Sequence, residues 1–531
     1  MCAKKKEKYI LAHDHGTSGS KAALVSTKGK VIGFEFEEVP LYLPSQGAAE
    51  QDPDDWWNAM KKTITRLLEK NLVPIDDIVA FCNTSQWSGT VPVDKDGNHL
   101  YNGIIWMDTR GAPYILKKHN SLIKISGYSL RKMLKWIRIA GGGPTASGKD
   151  PSAHILWLKH KKPDIYEKTY KFLEVQDYIN LKMTGKIAAS PVSIQLHWIT
   201  DIRDINNVKY SQKLIDLLDL NKDQYPKLKN PTEVLGFLKP DVADELGLNK
   251  DVKVIMGAPD VPAAAIGSGA VKDFQGHIYI GTSSWVICHV PFKKTDPFHN
   301  MGSLPSAIPG KYMFTNEQEI AGGCLSFLRD KILYHKDKLL NEECAPDIFK
   351  VFDQIAENVK AGSNRLIFTP WLYGERGPVD DHSIRGGLYN ISLETTREHL
   401  IRAVLEGVAY NSRWLCQYVE KNIGRELNPI NLIGGGAQSN VWCQIYADVL
   451  NRKIRQVKNP IQANARGAAF IASVGLGYLD YEEIPKYIEY SELFNPNPAH
   501  RKIYDRLFEE FVNIYENNKD MYERLNSLEN I

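Results

Sequence analysis

The chain has 531 residues, of which 43% are hydrophobic, 24% charged and 10% aromatic. At roughly 150 residues per domain this is material for two to four domains with large cores, and wholesale disorder is excluded. The net charge of +3 is near balance for this length and gives no support to a nucleic-acid binder or a membrane-surface protein. The seven cysteines, Cys2, Cys82, Cys288, Cys324, Cys344, Cys416 and Cys443, include no C-x-x-C pair. That usage points to a reducing compartment with neither a disulfide frame nor a zinc ribbon. Lys4-Lys5-Lys6 reads as a solvated tail. The apolar stretch Tyr9-Ile10-Leu11-Ala12 is too short for a signal-peptide core, and no run of eighteen apolar residues follows. The expectation is a soluble, cytoplasmic protein.

Tyr9–Ala12 predicts a strand that runs into the polar turn His13–Ser20, with Lys21–Val25 returning from it. After the turn Lys28-Gly29-Lys30, Val31–Phe34 completes a β-meander. Asp52-Pro53-Asp54-Asp55 starts a helix, because proline and acids suit its first turn, and Met60, Ile64, Leu67 and Leu68 form its apolar face. Gly143-Pro144-Thr145-Ala146-Ser147-Gly148-Lys149-Asp150 comes close to a phosphate-binding P-loop. Asp150 stands where a hydroxyl should hold Mg²⁺, however, and Lys135–Ile139 before it is a poor strand, so a plain glycine-rich connection competes. Ser152–His160 is a second helix. Val252–Met256 is a strand that ends in Gly257-Ala258-Pro259-Asp260-Val261-Pro262. A lone aspartate just past a strand is either a helix cap or a general base.

His277–Ile280, the turn Gly281-Thr282-Ser283-Ser284 and Trp285–Cys288 repeat the grammar of the first hairpin half a chain later, which suggests two similar halves. Thr396–Cys416 is a long apolar helix. Ile430–Ile433 is a strand followed by Gly434-Gly435-Gly436-Ala437-Gln438-Ser439 and a helix from about Asn440. This resembles a dinucleotide fingerprint, but Arg452-Lys453-Ile454-Arg455 stands where a ribose-binding acid belongs, so NAD is disfavoured. The glycines and the helix start suit a flat or anionic ligand, or a tight turn with none. Pro498–Ile531 reads as a polar helix with Tyr504, Leu507, Phe508, Phe511 and Ile514 on one face.

Strands and helices in both halves make an α/β protein, with the boundary near residues 262–276. The Asp14–Ser20 turn offers N–H and O–H donors to phosphate oxygens, and Asp14 offers a carboxylate for hydrated Mg²⁺. Two such turns facing each other would clamp a polyphosphate.

Taken in order, Asp14–Ser18, Glu50–Pro53, Ile105–Arg110, Leu156–Lys159, Gly257–Asp260, Gly281–Ser283, Gly322-Gly323 with Phe327–Asp330, Gly374–Pro378, Arg402–Gly407 and Gly434–Ser439 form a specific set. The chain thereby resembles the FGGY family of carbohydrate kinases, its xylulokinase branch above all. The resemblance implies two actin-like (ribonuclease H-like) ATPase domains facing each other across a cleft, at residues 1–268 and 269–490, with a helical tail at 491–531. It implies ATP and Mg²⁺, with Asp260 as catalytic base and Asp14 at the metal. ATP contacts are implied at Thr17, Ser18, Lys21, Thr282, Gly322, Gly435, Gly436 and Asn440. The sugar side is implied at Gln86, Trp87, Ser88, Asp260 and Val261. The implied reaction is ATP-dependent phosphorylation of a ketopentose such as D-xylulose. The sequence departs from the branch at Ser85-Gln86-Trp87-Ser88-Gly89, where small-Gln-Met-His-Gly is usual, and at Val261, where Asn is usual. It departs again at His154 and Asn390. Kinases for glycerol, erythritol or ribulose therefore stay open as alternatives. So do an actin-fold ATPase without a sugar, a non-catalytic sugar- or nucleotide-binding regulator, and a homodimer.

Overall fold

The computed structural model describes residues 6–120, 124–125, 128–333 and 347–526, so Cys2, Lys4, Lys5, Cys344 and residues 527–531 lie outside it. β1 (Tyr9–Gly16), β2 (Gly19–Ser26) and β3 (Val31–Glu38) form the expected antiparallel meander. β4 (Ile78–Ser85) joins β1 in parallel. β5 (Val234–Phe237) and β6 (Lys253–Ile255) complete the sheet, with β6 parallel to β4 and β5 antiparallel at the edge. The order is β5–β6–β4–β1–β2–β3.

A second sheet repeats the plan. It contains β7 (Gly276–Ile280), β8 (Ser284–Val290), β9 (Thr295–Asp296), β10 (Met301–Pro305), β11 (Tyr312–Thr315), β12 (Ile430–Ile433), β13 (Ile454–Val457) and β14 (Tyr490–Phe494). Their order is β9–β10–β11–β8–β7–β12–β13–β14. β7 is antiparallel to β8 and parallel to β12, which is parallel to β13, and β14 is antiparallel to β13. The β1–β2 and β7–β8 hairpins therefore hold equivalent places, as the repeated Gly-Thr-Ser predicts. This is the ribonuclease H-like plan, present twice.

The helices bury the remaining faces. α1 (Pro53–Glu69) is capped by Asp52, which accepts from Asp54 N at 2.9 Å, and it buries Trp56, Met60, Ile64 and Leu67 over β2 and β3. α2 (Pro151–Lys161) follows the P-loop-like segment, and the residues before that segment, Leu130–Ala140, are helical rather than extended. α3 (Asp260–Gly267), α4 (Arg397–Ile423), α5 (Asn440–Leu450), α6 (Ala463–Gly475) and α7 (Arg501–Asn526) come later in the chain. The tail helix α7 docks on the second core through Tyr504, Leu507, Phe508 and Phe511. The Tyr504 hydroxyl donates to Glu406 Oε1 (2.8 Å) inside a buried pair of Glu406 with Arg402 (2.7 Å). Removing one partner of such a buried pair is strongly destabilising, because it leaves an uncompensated charge.

One core belongs to both sheets. Ile10, Ala12, Ala23 and Ala80 of the first sheet meet Trp285, Ile287 and Ile433 of the second through the alanines of α3 and α6. α6 comes late in the chain, yet it packs on β1, β2 and β4. It crosses α3 at two glycines. A Cβ on Gly267 would lie 1.8 Å from Ala463 O, and one on Gly467 would lie 1.8 Å from Ala263 O. Only glycine permits this approach of backbone to backbone.

Among the described residues, five cysteines (Cys82, Cys288, Cys324, Cys416 and Cys443) are buried and unpaired. No described helix is long and apolar enough to cross a membrane.

The crossing yields a first prediction. Gly467→Ala should destabilise the fold by at least the about 1–3 kcal/mol typical of overpacking, because a backbone carbonyl cannot swing aside. A lower thermal unfolding midpoint checks this, and an unchanged midpoint would show that the helices have room to part.

Candidate active site

The carboxyl ends of β1, β4 and β6 lie on one edge of the first sheet, and those of β7 and β12 on one edge of the second. On β1, side chains alternate between faces. His13 and His15 stack in the interior with ring centroids 6.0 Å apart. Asp14 points the other way, toward α6. Its Oδ2 lies 3.4 Å from Lys21 Nζ and its Oδ1 lies 3.5 Å from Asn464 Nδ2. Lys21 also donates to Ile461 O at 3.3 Å. The first hairpin is thus tied to the second half of the chain at its carboxylate.

Asp260 is the first residue of α3, with Pro259 at the cap position, so it is not the cap itself. Its Oδ1 accepts from Val261 N at 2.8 Å. It is half-buried. Burial above all, then the charge of Asp14 and, more weakly, that of Glu317 push its pKa up to about 8, against the pull of the Val261 N–H. A carboxylate tuned near working pH is suited to accept a proton.

The acceptor-side residues are drawn together, but mostly with one another. Gln86 is buried at the end of β4. Its Oε1 accepts from Thr17 Oγ1 (3.1 Å) and its Nε2 donates to Gln51 Oε1 (2.8 Å). Thr17 Oγ1 in turn accepts from Trp106 Nε1 (2.9 Å), so this hydroxyl, expected on ATP, is committed on both sides. Ser18 is the exposed hydroxyl of that turn. Trp87 is only 8% exposed, and its indole N–H, expected for the sugar, donates to Ser193 O at 2.9 Å. Ser88 takes a positive φ of 68° and donates to Lys149 O at 2.9 Å. Val261 is half-buried and packs against two cores.

The P-loop-like segment is a self-fastened connection. Asp150 accepts from Thr145 N (2.6 Å), Thr145 Oγ1 (2.7 Å) and Trp198 Nε1 (2.7 Å). Lys149 Nζ lies 3.3 Å from Glu319 Oε1 rather than free for a phosphate.

On the opposite side, Gly281 O accepts from Gly322 N (2.8 Å) and Thr282 O from Ala321 N (2.7 Å), which stacks these turns. Ser439 caps α5 by accepting from Trp442 N (3.0 Å). Asn440 Oδ1 accepts from Gln456 Nε2 (2.9 Å). Thr282, Gly435 and Asn440 are exposed beside them, and Gly436 is partly so. A side chain at Gly435 would meet no protein atom within 4 Å.

The sequence reading assigned no role to several residues found here. Glu317 and Glu319 follow β11, and Asn464 belongs to α6, a helix that the sequence patterning did not single out. Gln51, Trp106 and Arg376 sit within quoted motifs, which were the one available signal for them.

Two family models match the chain. The FGGY family of carbohydrate kinases, N-terminal domain, covers residues 9–267, and its C-terminal domain covers residues 276–476. The xylulose kinase of Bacillus subtilis is 29% identical over 98% of this chain and 99% of its own length. Among solved structures, a ligand-bound xylulose kinase and a gluconate kinase, both from Lactobacillus acidophilus, each superpose with a TM-score of 0.84 at 27% identity. Each match covers 98% of this chain and 100% of the other.

The electrostatics of Asp260 yield a second prediction. In the free protein its carboxyl should titrate near 8, a midpoint that carboxyl-carbon NMR with labelled aspartate checks. Asp14→Asn should lower that midpoint. Between its ordinary value of about 4 and that midpoint, the folded state binds more protons than the unfolded one, so this group alone lowers stability as pH rises. A midpoint near the ordinary carboxylate value would contradict the geometry.

Proposed function

The chain belongs to the FGGY family of carbohydrate kinases, and from that premise we propose that it transfers the γ-phosphoryl group of ATP to a hydroxyl of a ketopentose. D-Xylulose is the foremost candidate, with xylulose 5-phosphate and ADP as products. The observation that carries the reading is Asp260, a carboxylate of raised proton affinity just past a strand, within electrostatic reach of Asp14 and Glu317. It takes the proton of the attacking hydroxyl. Phosphoryl transfer needs little covalent help beyond this, because alignment and charge neutralisation do most of the work.

In this reading the turns at Thr17-Ser18 and Thr282 hold phosphates, with Lys21 beside them. Gly322, Gly435, Gly436 and Asn440 hold the nucleotide. Gln86, Trp87, Ser88 and Val261 shape the acceptor side, the first three through their contacts with Thr17, Ser193 and Lys149. The open space over Gly435 fits a ligand that approaches the backbone closely. Mg²⁺, which usually takes one or two carboxylates plus phosphates, would be held by Asp14, and it supplies neutralisation of phosphate charge. Asp14 and Asp260 lie close enough to raise proton affinity at the base, and that surplus of negative charge suits a divalent cation. We take residues 1–268 and 269–490 as the two domains and 491–531 as the tail. All proposed site residues come from one chain, so the reading requires no homodimer. It places the enzyme in the cytoplasm, where buried thiols stay reduced.

The test is ADP release with D-xylulose, D-ribulose, glycerol, erythritol and no acceptor. D-Xylulose should give the highest kcat/KM. Asp260→Asn should cut turnover by about 10²–10⁴-fold, the usual weight of a general base, with ATP affinity kept. Gly435→Val should weaken ATP binding without lowering the unfolding midpoint. ADP release indifferent to acceptor would make the protein an ATPase instead. A preference of about a thousandfold for glycerol or erythritol, more than one lost contact explains, would replace the ketopentose.

A further inference from the structure

The loop that resembles a phosphate-binding segment ends in a lysine that the fold spends elsewhere. Glu319 is held on one oxygen by Lys149 Nζ at 3.3 Å and on the other by Arg376 Nε. Arg376 Nη1 reaches on to Glu317. The four charges form one chain across the cleft. Lys149 comes from the loop before α2, the two glutamates follow β11, and Arg376 comes from the Gly374–Pro378 segment. Trp106 floors the chain, with Arg376 Cζ 5.2 Å and Lys149 Nζ 6.0 Å from its ring. Tyr373 lies 5.8 Å from the same ammonium. Both ends meet the acceptor site. Ser88 donates to Lys149 O, and Glu317 acts electrostatically on Asp260.

Lys21, Lys149 and Arg376 each face a carboxylate, namely Asp14, Glu319 and Glu317. Among the described residues Asp260 pairs with no cation. An acceptor that carries its own carboxylate would be desolvated beside Glu317 and Glu319, which already hold Lys149 and Arg376. A neutral ketose or polyol needs only hydrogen bonds. Similarity of fold does not decide between these classes, because relatives named for a neutral ketose and for a sugar acid superpose equally well.

Resting on the reading of the chain as a sugar kinase, the geometry points to Glu319 as a specificity-determining residue. By holding Lys149 and Arg376 it makes the site take neutral polyhydroxy acceptors and turn away sugar acids. Arg376 keeps one nitrogen, Nη2, buried without a partner. Neutralising Glu319 would therefore offer an incoming carboxylate both that N–H group and a released Lys149 ammonium.

The experiment measures kcat/KM by ADP release for D-xylulose, D-xylonate and D-gluconate. The wild type should favour D-xylulose over D-xylonate by about a hundredfold or more, the scale on which an unpaired buried group is rejected. Glu319→Gln should narrow that ratio by about tenfold or more, chiefly through a lower KM for the aldonate, since removing like charge is what relaxes such discrimination. Adding Lys149→Met to Glu319→Gln should cancel the gain. An equal loss for both acceptors in Glu319→Gln would assign the residue a structural role and overturn the inference. Should Glu319→Gln fail to fold, the wild-type ratio still decides. A wild type that prefers either aldonate overturns this inference and spares the kinase reading. No ADP release with any acceptor overturns both.

Discussion

The helices Asp260–Gly267 and Ala463–Gly475 touch backbone to backbone at Gly267 and Gly467, and the cleft depends on that contact. Ordinary helix pairs keep axes about 8–10 Å apart, a distance set by the side chains between them. Here glycines and alanines remove that spacer. The two sheets then share one core, in which Ile10 and Ala80 meet Ile287 and Ile433 around the crossing. The same helices carry the proposed site residues at their starts. Asp260 opens the first, and Asn464, beside Ile461, opens the second. From there they reach Asp14 and Lys21 of the β1–β2 hairpin. A wider crossing would separate Asp260, the proposed base, from the Asp14 carboxylate that raises its proton affinity.

Charge buried around this crossing gives the site its character. Asp260 is costly to ionise where it stands, and burial rather than any single neighbour is the main reason. The acceptor side is stiffened by a relay of neutral hydrogen bonds, Trp106 to Thr17 to Gln86 to Gln51. Groups held in this way need little reorganisation at the moment of reaction, which is where an enzyme of this kind gains its rate. Lys149, Glu319, Arg376 and Glu317 add an ionic bridge between the two sides of the cleft. A device of this kind suits a site that must exclude water, because phosphoryl transfer to water competes with transfer to the acceptor.

Much of the fold was legible in the sequence because local rules and tertiary needs agreed. The meander of β1 to β3, the capped helix after Asp52 and the strand Ile430–Ile433 all follow from periodicity and turn chemistry. The repeated Gly-Thr-Ser marked equivalent hairpins. Lys135–Ile139 looked like a weak strand because a short apolar run carries no decisive period, yet it lies in the helix Leu130–Ala140. The P-loop likeness of Gly143–Asp150 was a likeness of spelling, and Asp150 uses its acceptors to fasten its own loop. Trp87 and Thr17 were expected to face ligands, whereas the structure spends their polar atoms on Ser193, Gln86 and Trp106. No spacing rule could show this, because the partners come from distant segments. Glu317, Glu319 and Asn464 escaped notice for the same reason. The roles of the site residues came from family resemblance, which orders motifs along the chain without placing them in space.

The proposed site has hairpins from the two halves holding one polyphosphate between them. Amide hydrogen exchange with Mg²⁺ and a non-hydrolysable ATP analogue tests it most directly, because protection reports local opening segment by segment. Residues 16–21, 281–284 and 434–440 should gain protection together. Protection confined to 434–440, with the two hairpins unchanged, would contradict it.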